Sequence, residues 1–267
     1  MKKYIAILRI RFANSLQYRV AALAGMVTQF AWAALAILAF SAFYRADPAA
    51  YPMAFSESVS YIWLQQAFLS VFMLWFFEEE IFEAIWDGNI AYELVRPIDL
   101  YSRWFCQSAA SRLAKAALRC LPVLVVAFLV PAPYRLTLPP SAVQFALFLL
   151  SAALGFCVTV AFCMIVYIST FYLLSPAGMK TILVFFADFL AGGTVPLPFF
   201  PDRIRAVVEL LPFAAMQNMP LRIYSGNIAS ADAARGILLQ CFWLAVLVGL
   251  GRLWLSGALR RTVVQGG

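Results

Sequence analysis

The chain has 267 residues, of which 64% are hydrophobic and 12% charged, with a formal net charge of +7. Soluble domains carry about twice that share of charge, so a soluble globular fold is excluded. There is no histidine, which removes every Ser–His or Cys–His catalytic pair, every His-ligated metal site and the His-Glu-x-x-His helix of metalloproteases.

Residues 1–19 form a basic leader. On a helix, Tyr4, Ile5, Leu8, Phe12 and Leu16 fall on one side, and Lys2, Lys3 and Asn14 mostly away from it. The pattern predicts an amphipathic helix lying on the inner leaflet, or else an inward extension of the first span. Apolar stretches follow at 20–43, 59–77, 109–130, 141–174, 176–190 and 236–255. A hydrocarbon core of about 30 Å needs roughly 20 helical residues, so six spans are expected. The first is too long for a signal-peptide core and has no obvious cleavage site, so it is read as a retained span. The third carries Arg112, Lys115 and Arg119 in its first half, which is predicted to project from the membrane as helix. The fifth is short and runs into Gly192-Gly193.

With the amino terminus inside, fourteen of the 20 Lys and Arg residues fall on the cytoplasmic side and six outside. The positive-inside rule then expects both termini in the cytoplasm. The positive charge matches anionic headgroups and calls for no nucleic acid. Cys106, Cys120, Cys157, Cys163 and Cys241 all fall in spans or on the inner side, so no structural disulfide is expected and they read as small packing residues. Small-spaced pairs, Ala21/Gly25 and Ser151/Gly155, permit close helix contact.

Charge within the spans is sparse. Asp188, near the outer end of the fifth, is either wetted from outside or lines a polar path. Further span polarity comes from Gln29, Gln65, Gln66, Gln144 and Thr159, side chains that commonly bond across helices. Gln29, Gln65, Gln66 and Asp188 are the candidates for a translocation path. No Gly-x-x-x-x-Gly-Lys phosphate loop occurs. No metal site is expected.

Residues 78–108 hold seven of the 13 acidic residues. Ile81, Phe82, Ile85 and Trp86 interleaved with acids predict a short amphipathic helix that stops at Gly88-Asn89. A second short piece, 90–96, ends before Pro97. This is either a docking surface or a solvated loop. Residues 192–227 are too apolar for a free outer loop and too broken by proline for a regular span. Asp202 is expected to cap a short helix ending near Pro212, and Pro220 to break the stretch after it. Non-helical backbone at membrane depth survives only against protein or a water cavity, which predicts a re-entrant hairpin entering from the outer face.

This layout resembles the ABC-2-type permease family, the membrane subunits of ABC exporters, over essentially the whole chain. Gly88-Asn89-Ile90-Ala91-Tyr92-Glu93-Leu94-Val95-Arg96-Pro97 is similar to a stretch in a small-permease subgroup. So is Gly192-Gly193-Thr194-Val195-Pro196-Leu197-Pro198-Phe199-Phe200-Pro201, together with Leu211-Pro212-Phe213 and Pro220-Leu221-Arg222-Ile223-Tyr224. The resemblance implies one all-α permease domain over 1–267. It implies a coupling helix within 78–96 that docks on a separate ATPase, with Glu79, Glu83, Ile85, Trp86, Asp87, Gly88 and Arg96 as its contact residues. It makes 192–227 an outer gate built on Pro196, Pro198, Phe199, Phe200, Pro201, Pro212 and Phe213. ATP and Mg would sit on cytoplasmic ATP-binding subunits, with no cofactor here and no room for a fused nucleotide-binding domain. A second permease, a different chain or else a second copy, would complete the assembly in a bacterial inner membrane. Spans rich in Phe, Trp and Leu suit an apolar or amphipathic cargo. Two other classes stay open. One is an ATP-independent secondary carrier using Asp188. The other is a membrane enzyme or assembly factor, which the missing histidine disfavours.

Overall fold

A computed structural model describes residues 2–16, 19–173 and 176–261. Among them the chain is all-helical. The helices are α1 (Lys2–Ser15), α2 (Arg19–Ala46), α3 (Phe55–Ala67), α4 (Leu69–Phe72), α5 (Glu79–Trp86), α6 (Ile90–Leu94), α7 (Leu100–Leu129), α8 (Ala142–Ser169), α9 (Pro176–Leu190), α10 (Asp202–Val208), α11 (Asn218–Ser225) and α12 (Ser230–Leu259). Three are long and apolar enough to cross a membrane: 23–46 within α2, α8 with the 3₁₀ turn that follows it, and α12.

The other predicted spans are built differently. Residues 59–77 do not form one helix. α3 ends at Ala67, Phe68 breaks the backbone, α4 adds one turn, and Met73 is extended. α7 has the length but carries Arg112, Lys115 and Arg119. Its cationic half does not project freely, because α1, α3 and α4 all pack along α7. Arg112 is only 1% exposed. It donates to the carbonyls of Val71 (3.3 Å), Met73 (2.7 Å) and Phe76 (2.6 Å), which the break in 59–77 leaves unpaired. Lys115 lies over the Phe76 ring at 4.9 Å. The Arg119 guanidinium fills the space a side chain at Gly25 would need. The side chain of Ala21, the other half of that predicted pair, lies outside the described residues.

α1 packs on α7, though not by the predicted stripe. Ile5 is exposed, while Ile7 and Arg11 turn inward with Tyr4, Leu8 and Phe12. Arg11 pairs with Glu80 at 2.6 Å, and Lys3 donates to the Pro97 carbonyl.

α8 is the spine against which α11 and α12 pack. Ser151 and Gly155 serve this internal contact. Ser151 donates to the side-chain amide oxygen of Gln240 at 2.9 Å, and a Cβ on Gly155 would lie 2.2 Å from the Met216 carbonyl oxygen. The chain after α10 therefore returns to the middle of α8. Its backbone is satisfied there by amides. Gln240 donates to the Ala215 carbonyl at 2.8 Å, and Gln144 to those of Ile223 (2.8 Å) and Ile228 (2.6 Å). Gln144 thus bonds between elements as expected, whereas Thr159 bonds to Gly155 on its own helix.

Two local expectations fail here. Asp202 does not cap α10. It is the first helical residue, pairs with Arg205 at 2.8 Å, and the helix ends at Val208. Pro220 does not break 214–224, because it falls in the first turn of α11, where a missing N–H costs nothing. α11 ends at Gly226, whose φ of 89° favours glycine and whose Cβ would meet Pro140. The five cysteines are free.

Candidate functional site

The four predicted polar residues come from three helices and meet in one cavity. It has a volume of about 740 Å³, and a second, separate cleft of about 400 Å³ lies beside α5. Gln29 comes from the middle of α2, Gln65 and Gln66 from the end of α3, and Asp188 from the C-terminal end of α9. Thr28, Trp32, Leu35 and Phe40 of α2, Ile62, Leu69, Phe185 and Gln217 are among the other lining residues. Asp188 is the only charged one. The chamber is open-sided, since Trp32, Leu35 and Phe185 are more than half exposed.

The turn after α9 shapes the outer wall. Gly192 has φ 79°, and its carbonyl accepts a bond from the Tyr61 hydroxyl at 3.3 Å. Gln65 donates to the Gly193 carbonyl. Gly193 must lack a side chain, because a Cβ there would lie 2.4 Å from the Asp188 carboxylate. Gln29 donates to the Gln66 carbonyl at 3.1 Å, so it braces α2 against the frayed end of α3.

The predicted gate residues divide. Pro196 is buried and lines the chamber. Phe199 packs between Phe40 (4.8 Å between ring centres), which lines the chamber, and Tyr51 (5.0 Å). Phe200 meets Phe189 of α9 at 5.1 Å. Phe213 lies deeper, against Phe162 of α8 (5.6 Å) and Phe186 of α9 (6.3 Å). Pro198 and Pro212 are buried, while Pro201 is exposed and touches none of this.

The predicted docking residues surround α5, at the far end of α9. Ile81 and Phe82 are buried and fix the helix; Phe82 packs on Tyr167 at 4.9 Å. The Glu78 N–H donates to the Tyr167 hydroxyl at 2.6 Å. Glu79 pairs with Lys180 of α9 at 2.7 Å, and Lys180 also covers the Phe77 and Phe82 rings. Glu79, Glu83, Trp86 and Asp87 line the second cleft with Lys180. Trp86 is 63% exposed, and Asp87, Gly88 and Arg96 are exposed. Gly88 has φ 73° with open space around it, so its role is to stop α5. Ile85 is half-buried against the core, which makes it partly structural rather than a pure contact residue. Sequence reasoning missed the apolar continuation on α6 and just after it, where Tyr92, Leu94 and Val95 are exposed. It also missed Lys180 as the partner of Glu79. Arg11 and its hydrogen bond hold the Glu80 carboxyl below the ordinary carboxylate range; burial opposes this and Gln107 assists it.

A protein-family model described as ABC-2 family transporter protein matches residues 30–266. The match takes in α3 to α12 and most of α2, and so nearly all of the chamber. No curated protein and no solved structure matches the chain.

Proposed function

Because the chain belongs to the ABC-2 family of transporter proteins, we propose that it is the permease subunit of an ATP-driven exporter. It crosses the membrane six times, with both termini in the cytoplasm of a bacterial cell. The chamber is half of a translocation path, and its open side faces a second permease, a different chain or a second copy. α5 and α6 dock on a cytoplasmic ATPase that holds ATP and Mg. Residues 192–227 re-enter from the outer face and gate the path, and the cargo is apolar or amphipathic. The observation that carries this reading is the meeting of Gln29, Gln65, Gln66 and Asp188 in one open-sided chamber. Phe199 of the outer segment packs on Phe40 in its wall.

In the working cycle, closure of the ATPases moves α5, whose Glu79 is tied to Lys180 at the base of α9. α9 carries Asp188 in the chamber wall, with Phe186 and Phe189 against the outer segment. Cargo shifts this equilibrium only by binding its two states differently. The test is a mild-detergent pull-down of the tagged chain from its native cell. A soluble ATPase retained in near-equal amount supports the reading. A chain that purifies alone in several detergents, yet transports in an energised membrane without ATP, would replace it with a secondary carrier.

A further inference from the structure

The charge pattern of the chamber selects its occupant. Asp188 is the only ionisable residue lining it, and among the described residues the carboxylate has no ion-pair partner. The Gln65 amide, which lines the same chamber, is spent on the Gly193 carbonyl. The carboxylate packs against the Gly193 backbone, in the space a side chain there would fill, and its remaining surface borders the chamber. Around it stand the rings of Trp32, Phe40 and Phe185. An uncompensated carboxylate loses several kcal/mol when water is excluded, unless a cation replaces the water. Aromatic faces attract the same cation, and they repel an anion. A volume of about 740 Å³ lies in the range of sites for drug-sized molecules. One carboxylate without companions is too few ligands for a divalent metal.

We infer that the chamber takes an amphipathic organic monocation, with Asp188 as its charge partner and Trp32, Phe40 and Phe185 around its apolar body. This rests on reading the chamber as the cargo path, and names the cargo's charge. A neutral molecule of the same shape leaves Asp188 unpaired on closure, and an anion is repelled.

The test uses two ions of one shape and opposite charge, tetraphenylphosphonium and tetraphenylborate. Their binding to the purified full chain in a neutral detergent is measured by equilibrium dialysis. Wild type is expected to hold the cation, and Asp188→Asn to lose about 10- to 100-fold in cation affinity, the worth of one charge-assisted contact. Asp188→Glu, which keeps the charge, retains the preference for the cation. Equal binding of the two ions, no binding of either, or undiminished cation binding by Asp188→Asn would each overturn the inference. Loss of cation binding in both Asp188→Asn and Asp188→Glu would overturn it too, because the site would then depend on shape alone. The ATPase pull-down is read separately. A retained ATPase with no cation binding sinks the inference and leaves the permease, while cation binding without an ATPase does the reverse.

Discussion

Arg112 donates to the Phe76 carbonyl at 2.6 Å, a bond from the middle of one helix to the far side of a break in another. With the bonds to Val71 and Met73, it supplies the donors that a continuous helix over 59–77 would have supplied itself. The same guanidinium lies 3.2 Å from the Cys163 sulfur on α8. Three elements therefore share one buried cation. Arg112→Met is expected to destabilise the chain by about 3 kcal/mol or more, since each buried carbonyl left unpaired costs roughly 1–3 kcal/mol. Arg112→Lys recovers only part of this, because an ammonium lacks the planar fork that reaches separate acceptors. Thermal unfolding in detergent measures both. An unchanged midpoint for Arg112→Met would show that the break holds without it.

Trp86 and Ile85 separate docking from folding. Trp86→Asp changes an exposed side chain and is expected to alter stability by no more than about 0.5 kcal/mol. It should nonetheless abolish stimulation of a co-purified ATPase. Ile85→Asp places a charge on a half-buried position and should lower the unfolding temperature as well. Full ATPase stimulation in Trp86→Asp would move the docking surface elsewhere, with Tyr92 and Val95 the next exposed residues to change.

Gly155→Ala tests how the returning segment is seated. The new Cβ would fall 2.2 Å from the Met216 carbonyl oxygen, and that obstacle is backbone rather than a flexible side chain. Overpacking of this kind costs about 1–3 kcal/mol. The expected outcome is a lower unfolding midpoint and faster proteolysis between α10 and α11. Normal stability with normal protease resistance would mean that the segment does not lie against the middle of α8.

The attachment of α1 has a definite pH dependence. Arg11 depresses the Glu80 carboxyl, so the pair's contribution is fully present above the ordinary carboxylate value. It is lost as pH falls through the depressed folded value. Hydrogen exchange in α1, corrected for intrinsic rates, should be flat from about pH 8 to 5 and quicken below about pH 4. Arg11→Gln should remove that transition. A transition centred near neutrality would assign the attachment to another group.

The long helices α2, α8 and α12 were legible because hydropathy and length suffice to mark them. So was the stop at Gly88, where only glycine adopts the backbone freely. Gln29, Gln65, Gln66 and Asp188 could be picked out because polar atoms are conspicuous in apolar runs, though nothing in their spacing along the chain brings them together. The break at Phe68 was not legible. Residues 59–77 are apolar throughout, and the partner that stabilises the break lies 36 residues or more away, at Arg112. Arg112 was noticed, with Lys115 and Arg119, only as the mark of a half-helix beyond the membrane, since cations in a span read as a membrane edge until their carbonyl partners are known. The face of α1 was misjudged for a similar reason. Arg11 counts as polar on a helical wheel, yet Glu80 pulls it inward. Gln240 was passed over, although it is the same kind of residue as Gln144.

α9 touches two things that do not touch each other. At its base Lys180 holds Glu79 of α5, and near its top Phe186 and Phe189 meet Phe213 and Phe200. The helix is unbroken over its 15 residues, and from Lys180 to Phe189 it spans about 14 Å of stiff backbone. Val184 and Ala187 bury one flank in the core, while Ile182, Phe185, Phe186 and Phe189 leave the other largely exposed. A stiff helix tied near both ends is a pushrod: a shift imposed at one end arrives at the other at nearly full length.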